Sequence, residues 1–286
     1  MKAGLAFGIA LAMAAPFAVQ GQDSMGMTKG TLENLGEDTY GWRVGTARSL
    51  IVVGEDGVLY VDPISPRVAK DGLAAVRTIT DKPIKYVVYS HQHWDHILGA
   101  KVFKDEGATI VSHVACLKHF YRHPHPDLVL PDMTIESGDT LSLGNRDVQM
   151  LYFGPNHGDC LVVPWIKHLG MPFVVDLVTP GFIGIGLMPD YDPGEWVRSL
   201  KEIERLPFEQ FIAGHATAIS PKSVLAERRM FLEDIMAIVK REHDAGTPMD
   251  EVAAKIDLPQ YKHLAGYGTS FPDFVKRLYT YYNIGW

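Results

Sequence analysis

The segment His-Gln-His-Trp-Asp-His that begins at His91 constrains this chain most strongly, because four potential metal ligands fall within six positions. An apolar run at 84–89 precedes it and predicts a buried strand. Alternation at the strand end places His91 and His93 on one side, while Asp95 and His96 come one step further round the turn. Imidazole and carboxylate groups are ligands of zinc and similar metals. Histidines crowded in this way would repel one another if protonated, so the segment predicts bound metal.

His91 and His93 can bind one ion, and Asp95 and His96 can face a second ion beside it. One segment cannot supply all the ligands of two ions, and three further candidate ligands occur later in the chain. His157 lies in a Gly-rich turn, Asp176 follows an apolar run, and His215 follows Ala-Gly at the end of another run. Side chains at such positions can reach a surface cleft. Taken alone, each has an ordinary structural explanation, as a turn histidine, a capping aspartate or a histidine facing solvent. Together with the first segment they form a set of five histidines and two aspartates.

The pattern HxHxDH, followed by a distal histidine, a distal aspartate and a late Gly-His, resembles the metallo-β-lactamase superfamily. The resemblance covers the chain from about Thr31 to Ala218 and implies an αβ/βα four-layer sandwich with a two-metal site on one edge. It also implies a role for each residue of the pattern. The first-site ligands would be His91, His93 and His157; the second-site ligands would be Asp95, His96 and His215; Asp176 would bridge both ions.

Two differences from known branches of the superfamily limit the branches to which this chain can belong. Class B1 and B2 β-lactamases carry a cysteine where Asp176 stands, so the sequence points to branches such as lactonases, thioester hydrolases and arylsulfatase-like enzymes. Flavodiiron proteins carry an acidic residue in place of His93, which disfavours a redox di-iron role. The tail from Ser220 resembles the tails of exported members.

The order of predicted elements gives the fold class independently of this resemblance. Strands come first and helices are interspersed, twice over, which predicts two β/α halves packed as layers. A hairpin is predicted at 49–61, a helix at 67–80, another at 97–104, and mainly helical structure after Ser220. The prediction is an α/β sandwich domain at 22–220, with a helical extension at 221–286 packed on the same domain.

Residues 1–21 read as a cleaved leader. A basic start at Lys2, an apolar run of small residues and a small-residue exit follow the order of a secretory signal peptide. The run is too short and too rich in Ala and Gly for a membrane span. We therefore expect a periplasmic or secreted protein without a stable membrane anchor.

Composition limits the partners and the covalent cross-links. A net charge of −7 argues against binding to nucleic acid, and 47% hydrophobic residues support a packed core. The two cysteines, Cys116 and Cys160, exclude a disulfide framework. They could form one bridge or remain as two buried thiols, and the oligomeric state is open.

The predicted function is that of an exported dinuclear zinc hydrolase, with iron or manganese as alternative metals. Two ions that share a bridging hydroxide would attack an ester, lactone, thioester or β-lactam in a small-molecule substrate. Asp95 is the predicted catalytic residue, because it can bind metal and also orient the nucleophile or transfer a proton. The alternative is a mononuclear-iron sulfur dioxygenase type, or another non-hydrolytic member of the superfamily.

Overall fold

A computed structural model describes residues 29–187 and 189–285 of the chain. The predicted leader at 1–21 lies outside these residues. Within them, no helix combines the length and the apolar character needed to cross a bilayer.

The first sheet contains seven strands in sequential order. The pairs from β1 to β4 are antiparallel, and β4 to β7 run parallel to one another. The strands are β1 (Thr31–Gly36), β2 (Thr39–Val44), β3 (Ala47–Val53), β4 (Val58–Val61), β5 (Ile84–Val88), β6 (Thr109–His113) and β7 (Met133–Ile135).

The second sheet has six strands in the order β13-β12-β11-β10-β9-β8. Its pairs are antiparallel except for β11 and β12, which run parallel. The strands are β8 (Thr140–Ser142), β9 (Asp147–Tyr152), β10 (Val162–Ile166), β11 (Met171–Val174), β12 (Gln210–Ala213) and β13 (Ile219–Pro221).

Eight α-helices of the described residues cover the outer faces of the sheets. They are α1 (Pro66–Val76), α2 (Trp94–Ile97), α3 (Ala100–Lys104), α4 (Leu117–Arg122), α5 (Pro193–Glu204), α6 (Lys222–Asp244), α7 (Met249–Val252) and α8 (Phe271–Ile284). The α1 helix begins where the Ser65 side chain accepts a hydrogen bond from the Val68 N–H and Pro66 occupies the first turn.

Three buried clusters hold the layers together. Residues such as Val52 and Phe173 pack between the two sheets. The outer face of the first sheet buries Tyr60 against Phe103 of α3. The outer face of the second sheet shares a cluster with α5, α6 and α8, in which Phe231 is fully buried. This αβ/βα arrangement confirms the predicted fold class, and the C-terminal helices lie on the second sheet. The division at residue 220 stays a prediction, and it falls within β13.

The predicted hairpin is confirmed as β3 and β4, but the helix predicted at 97–104 is divided into α2 and α3. Gly99 stands at the break, where a Cβ atom would lie 2.2 Å from the carbonyl oxygen of Pro63. This close approach to the chain after β4 ends α2 beside the site, and only glycine fits there.

Cys116 and Cys160 form a disulfide, the first of the two alternatives that the sequence left open. Cys116 belongs to a short 3-10 turn before α4, on the first half of the chain. Cys160 precedes β10 and follows His157 by three residues. The bridge therefore ties the loop that carries His157 to the first half.

Candidate metal centre

The seven predicted ligands come from five segments that end at one edge of the sandwich. His91 follows β5, and His93, Asp95 and His96 lie at or beside α2. His157 lies in the loop between β9 and β10, Asp176 follows β11, and His215 follows β12. The parallel pair β11 and β12 carries Asp176 and His215 to the same edge, because parallel strands end on the same side of a sheet.

Asp176 is the centre of the cluster. Its Oδ2 atom lies 3.3 Å from Nε2 of His91 and 3.2 Å from Nε2 of both His96 and His157. Its Oδ1 atom lies 2.5 Å from Nε2 of His215. The backbone of Asp176 has a φ of 55°, in the left-handed region that non-glycine residues adopt at a cost in energy. This conformation turns one carboxylate towards four imidazoles.

The ligand atoms fall into groups that are compact enough to hold an ion. One group joins His91, His93 and His157 to Asp176, and a second joins His96 and His215 to the same aspartate, with ligand atoms within 4.8 Å of one another. Six of the seven predicted residues are thus brought together. Asp176 belongs to both groups, so one carboxylate lies within reach of both candidate ion positions.

Asp95 is the residue that the structure does not bring into a group. Its side chain is 68% exposed, and its Oδ2 atom lies 3.9 Å from Nε2 of His96. It belongs to the first turn of α2 and lines the cavity above the cluster. Its predicted roles as a ligand and as the catalytic residue stay predictions.

Asp62 is a part of the site that sequence reasoning missed. Its fully buried carboxylate accepts hydrogen bonds from Ser90, through the backbone N–H at 2.8 Å and the hydroxyl at 2.7 Å, and lies 3.0 Å from Nδ1 of His96. The Ser90 hydroxyl is also 2.8 Å from Nδ1 of His91. These contacts orient both rings with Nε2 towards Asp176. In the sequence, Asp62 precedes a proline and reads only as the end of a strand.

Asp190 supports His93 in a similar way. Its Oδ2 atom lies 2.6 Å from Nε2 of His93 and accepts a hydrogen bond of 3.0 Å from the Gln92 amide. Burial acts to raise the pKa of Asp190, but the hydrogen bond and charge of His93 outweigh it and lower the pKa to about 2. The carboxylate therefore stays ionised and leaves Nδ1 of His93 facing His157 at 3.1 Å.

The charged groups of the cluster shift one another's pKa values. Burial acts to raise the pKa of Asp176, but the positive fields of His96, His157 and His215 outweigh it and hold the pKa well below its usual range. Burial and the neighbouring His96 lower the pKa of His91 well below that of free histidine, so this ring is neutral at pH 7. Burial also acts to lower the pKa of His96, but the carboxylates of Asp176 and Asp62 outweigh burial and raise this pKa well above the usual value.

These residues fit a bound cation. Nε2 of His91 is buried and has no hydrogen-bond partner among the described residues, although it faces the Asp176 carboxylate. A buried imidazole nitrogen without a partner is unfavourable unless an ion occupies that position. If a cation takes the place of the imidazole protons, these ring nitrogens and the Asp176 carboxylate would form a donor set that suits zinc and similar divalent metals.

A cavity of about 610 Å³ opens above the cluster. Its floor includes His93, His157, Asp176 and His215, and Asp95 stands on its wall. The remaining wall is mainly apolar and comes from Leu177, Pro180, Phe182, Ile185, Trp196 and Ala265, while Arg228 adds a cation. Such a cavity has the size and character of a site for a small molecule.

Comparison with known proteins places these observations in a family. The sequence model of the metallo-beta-lactamase superfamily matches residues 42–215. The chain is 23% identical over 221 residues to the 2,4-dinitroanisole O-demethylase subunit alpha of Nocardioides sp. (strain JS1661), covering 76% of this chain and 64% of that protein. It is 25% identical over 297 residues to a linear primary-alkylsulfatase of Pseudomonas sp. (strain ATCC 19151), covering 82% of this chain and 55% of the relative. The chain thus spans less than two thirds of the length of each.

Solved structures share the fold at low sequence identity. A metallo-beta-lactamase from Pontibacter korlensis superimposes with a TM-score of 0.65 at 18% identity, covering 72% of this chain and 99% of that one. A stereoselective inverting sec-alkylsulfatase from Pseudomonas sp. gives a TM-score of 0.77 at 16% identity, covering 88% of this chain and 50% of that one. The matched sequence model spans more than half of the chain and includes all seven predicted ligands, of which His215 is the last residue matched. The chain belongs to the metallo-beta-lactamase superfamily.

Proposed function

We propose that this protein is an exported hydrolase that cleaves an ester-type bond of a small molecule. It holds two divalent metal ions, and zinc is the preferred metal at both sites. The observation that carries the proposal is the position of Asp176, which belongs to both groups of ligand atoms on the floor of the cavity. A carboxylate shared in this way is suited to two neighbouring cations rather than to one.

The chain supplies both ligand sets in this proposal. His91, His93 and His157 would hold the first ion, Asp95, His96 and His215 would hold the second, and Asp176 would contribute to both sites. When bound, the two ions would polarise the oxygen of the scissile group and lower the pKa of water, so that hydrolysis proceeds near neutral pH.

Other residues prepare the cavity for this reaction. Asp62 and Ser90 fix the tautomers and orientations of His91 and His96. To Asp95, whose exposed carboxylate lines the cavity, the proposal gives the role of taking a proton from the attacking water and returning it to the leaving atom. Trp196 contributes apolar surface to the cavity wall.

Esters, lactones, thioesters and β-lactams are the substrate classes to test. Two proteins similar to this chain are named as alkylsulfatases, which adds sulfate esters to the screen. The proposed export is supported by the leader-like start of the sequence and by the disulfide, which suits an oxidising compartment. We expect the mature protein from its native host to begin near residues 19–23 by mass spectrometry, and an intact Met1 on the folded protein would refute export.

The experiment that tests the reaction combines metal analysis with activity in one variant pair. We expect about two zinc ions per wild-type chain, and we expect Asp176→Asn to lose second-site metal and tenfold or more of the hydrolysis rate. Asp132→Asn is the control, because Asp132 accepts a backbone N–H from Ile110 away from the cluster. A wild-type protein with a single iron, or an Asp176→Asn protein with two ions and full activity, would refute the proposal.

A further inference from the structure

Arg228 is a buried cation on the wall of the cavity. It belongs to α6, and only 6% of its surface is exposed. Its Nη1 atom donates to the carbonyl oxygen of Ile183. This bond uses one of the five N–H groups of the guanidinium. No carboxylate oxygen among residues 29–187 and 189–285 lies within ion-pair distance of it, whereas the buried carboxylate of the same cavity, Asp176, faces four imidazoles.

Aromatic rings, instead of an acid, stabilise this charge. The guanidinium carbon lies 5.0 Å from the ring centroid of Trp196 and 5.7 Å from those of Phe231 and Phe274. Contacts of this kind favour a cation on the face of a ring. Burial lowers the pKa of Arg228 to about 10, although nearby Tyr191 acts to raise it, so the group remains positive at neutral pH.

The loop at 181–186 leaves room for the guanidinium beside the cavity. Gly184 has a φ of +98°, and a Cβ atom there would lie 2.5 Å from Nη2 of Arg228. Both residues line the same cavity as Asp176 and His215. A side chain with unused donors, more than nine-tenths buried, thus stands in the cavity that holds the candidate metal ligands.

We propose that Arg228 binds an oxyanion of the substrate, so that the substrate class is a small amphiphilic anion. Its carboxylate, sulfonate or sulfate group pairs with the guanidinium, and its apolar body lies against Phe182 and Trp196. An arginine fork matches the geometry of such groups, and a charge-assisted pair in a desolvated pocket is stronger than one in water. This inference rests on the proposed function only for the assumption that the other end of the ligand faces the metal cluster.

The test is equilibrium binding of a matched pair of ligands to the zinc-loaded protein, measured by calorimetry. Hexanoate carries the anion, and hexanamide is its neutral analogue of nearly the same shape. We expect the wild type to bind hexanoate tenfold or more tightly than hexanamide, a preference within the range of charged hydrogen bonds. Arg228→Met should reduce the preference to twofold or less, and Arg228→Lys should retain part of it.

Arg277→Met is the control. Arg277 is also buried, its guanidinium lies 5.0 Å from the Tyr191 ring centroid, and it donates to the Tyr191 carbonyl, but it does not line the cavity. Its replacement should leave the preference unchanged. If Arg228→Met does not fold, Gly184→Ala is the second variant, because the added methyl group displaces the guanidinium while its charge is kept.

The possible outcomes distinguish this proposal from the proposed hydrolysis. A hexanoate preference that survives in Arg228→Met or Gly184→Ala would place the anion on the metal ions and overturn the role of Arg228. A wild type without any preference would overturn it equally. Binding that depends on Arg228 in a protein that hydrolyses none of the substrates tested would support the anion site and refute the proposed hydrolysis.

Discussion

Replacement of Asp62 by asparagine tests whether a residue outside the two proposed ligand sets controls the cluster. The side chain keeps its shape, so the change removes charge and one acceptor without creating a cavity. The oxygen of the introduced amide can still accept the Ser90 N–H, which retains the bond of 2.8 Å. The amide nitrogen, a donor, then replaces the oxygen that faces the Ser90 hydroxyl at 2.7 Å and Nδ1 of His96 at 3.0 Å.

The consequence for His96 follows from its two nitrogens. Nδ1–H of His96 donates to Asp62 at 3.0 Å, so the proton that a metal ion must displace is the one on Nε2, which faces Asp176 at 3.2 Å. Once that proton is lost, the wild-type ring keeps its proton on Nδ1 and offers the lone pair of Nε2 to the ion. An amide donor opposite Nδ1 favours the other tautomer, whose proton lies on Nε2, where it prevents metal binding. We expect Asp62→Asn to weaken second-site metal binding by about 10–100-fold, the scale typical of residues that orient metal ligands. This corresponds to about 1.4–2.8 kcal/mol.

The assay is competition for zinc with a chromogenic chelator, together with thermal unfolding of the metal-free protein. The loss of charged hydrogen bonds should lower the free energy of unfolding by about 1–3 kcal/mol. Asp132→Asn is again the control, since it removes a carboxylate that accepts the Ile110 N–H at 2.9 Å and should leave zinc affinity unchanged. A folded Asp62→Asn protein that binds both zinc ions as tightly as the wild type would refute this reasoning.

Two further predictions concern the supports of the site. Asp190→Asn should reduce the affinity of the first site for metal by about tenfold, because His93 loses a charged partner at 2.6 Å. Chelator competition measures this loss, and an unchanged affinity would show that Asp190 does not contribute to metal binding. Replacement of Cys116 and Cys160 by serine should lower the free energy of unfolding by about 2–4 kcal/mol, as expected for a cross-link between residues 44 positions apart. Equal denaturation midpoints with and without reductant would show that the bridge does not form.

The fold class could be predicted from the sequence because the strand and helix patterns are local and the layers follow from burying their apolar faces. The strands that sequence reasoning did not assign individually, such as β7 and β8, have only three residues each. Segments of that length carry too little periodicity, and pairing with a neighbouring strand decides their structure. The division between α2 and α3 similarly depends on contact between Gly99 and Pro63, which are distant in sequence.

The sequence by itself was sufficient to predict the types of the candidate ligands and most of their positions, because His91, His93 and His96 stand so close together that their chemistry favours metal binding. Only the tertiary structure selected Asp62 and Asp190 from the many acidic residues, since their importance lies in hydrogen bonds that cross 34 and 97 positions of the chain. The same holds for Arg228, which in the sequence is one basic residue of an amphipathic helix. Burial without an acidic partner, beside a cavity formed by segments distant in sequence, is a property of packing, and no local pattern encodes it.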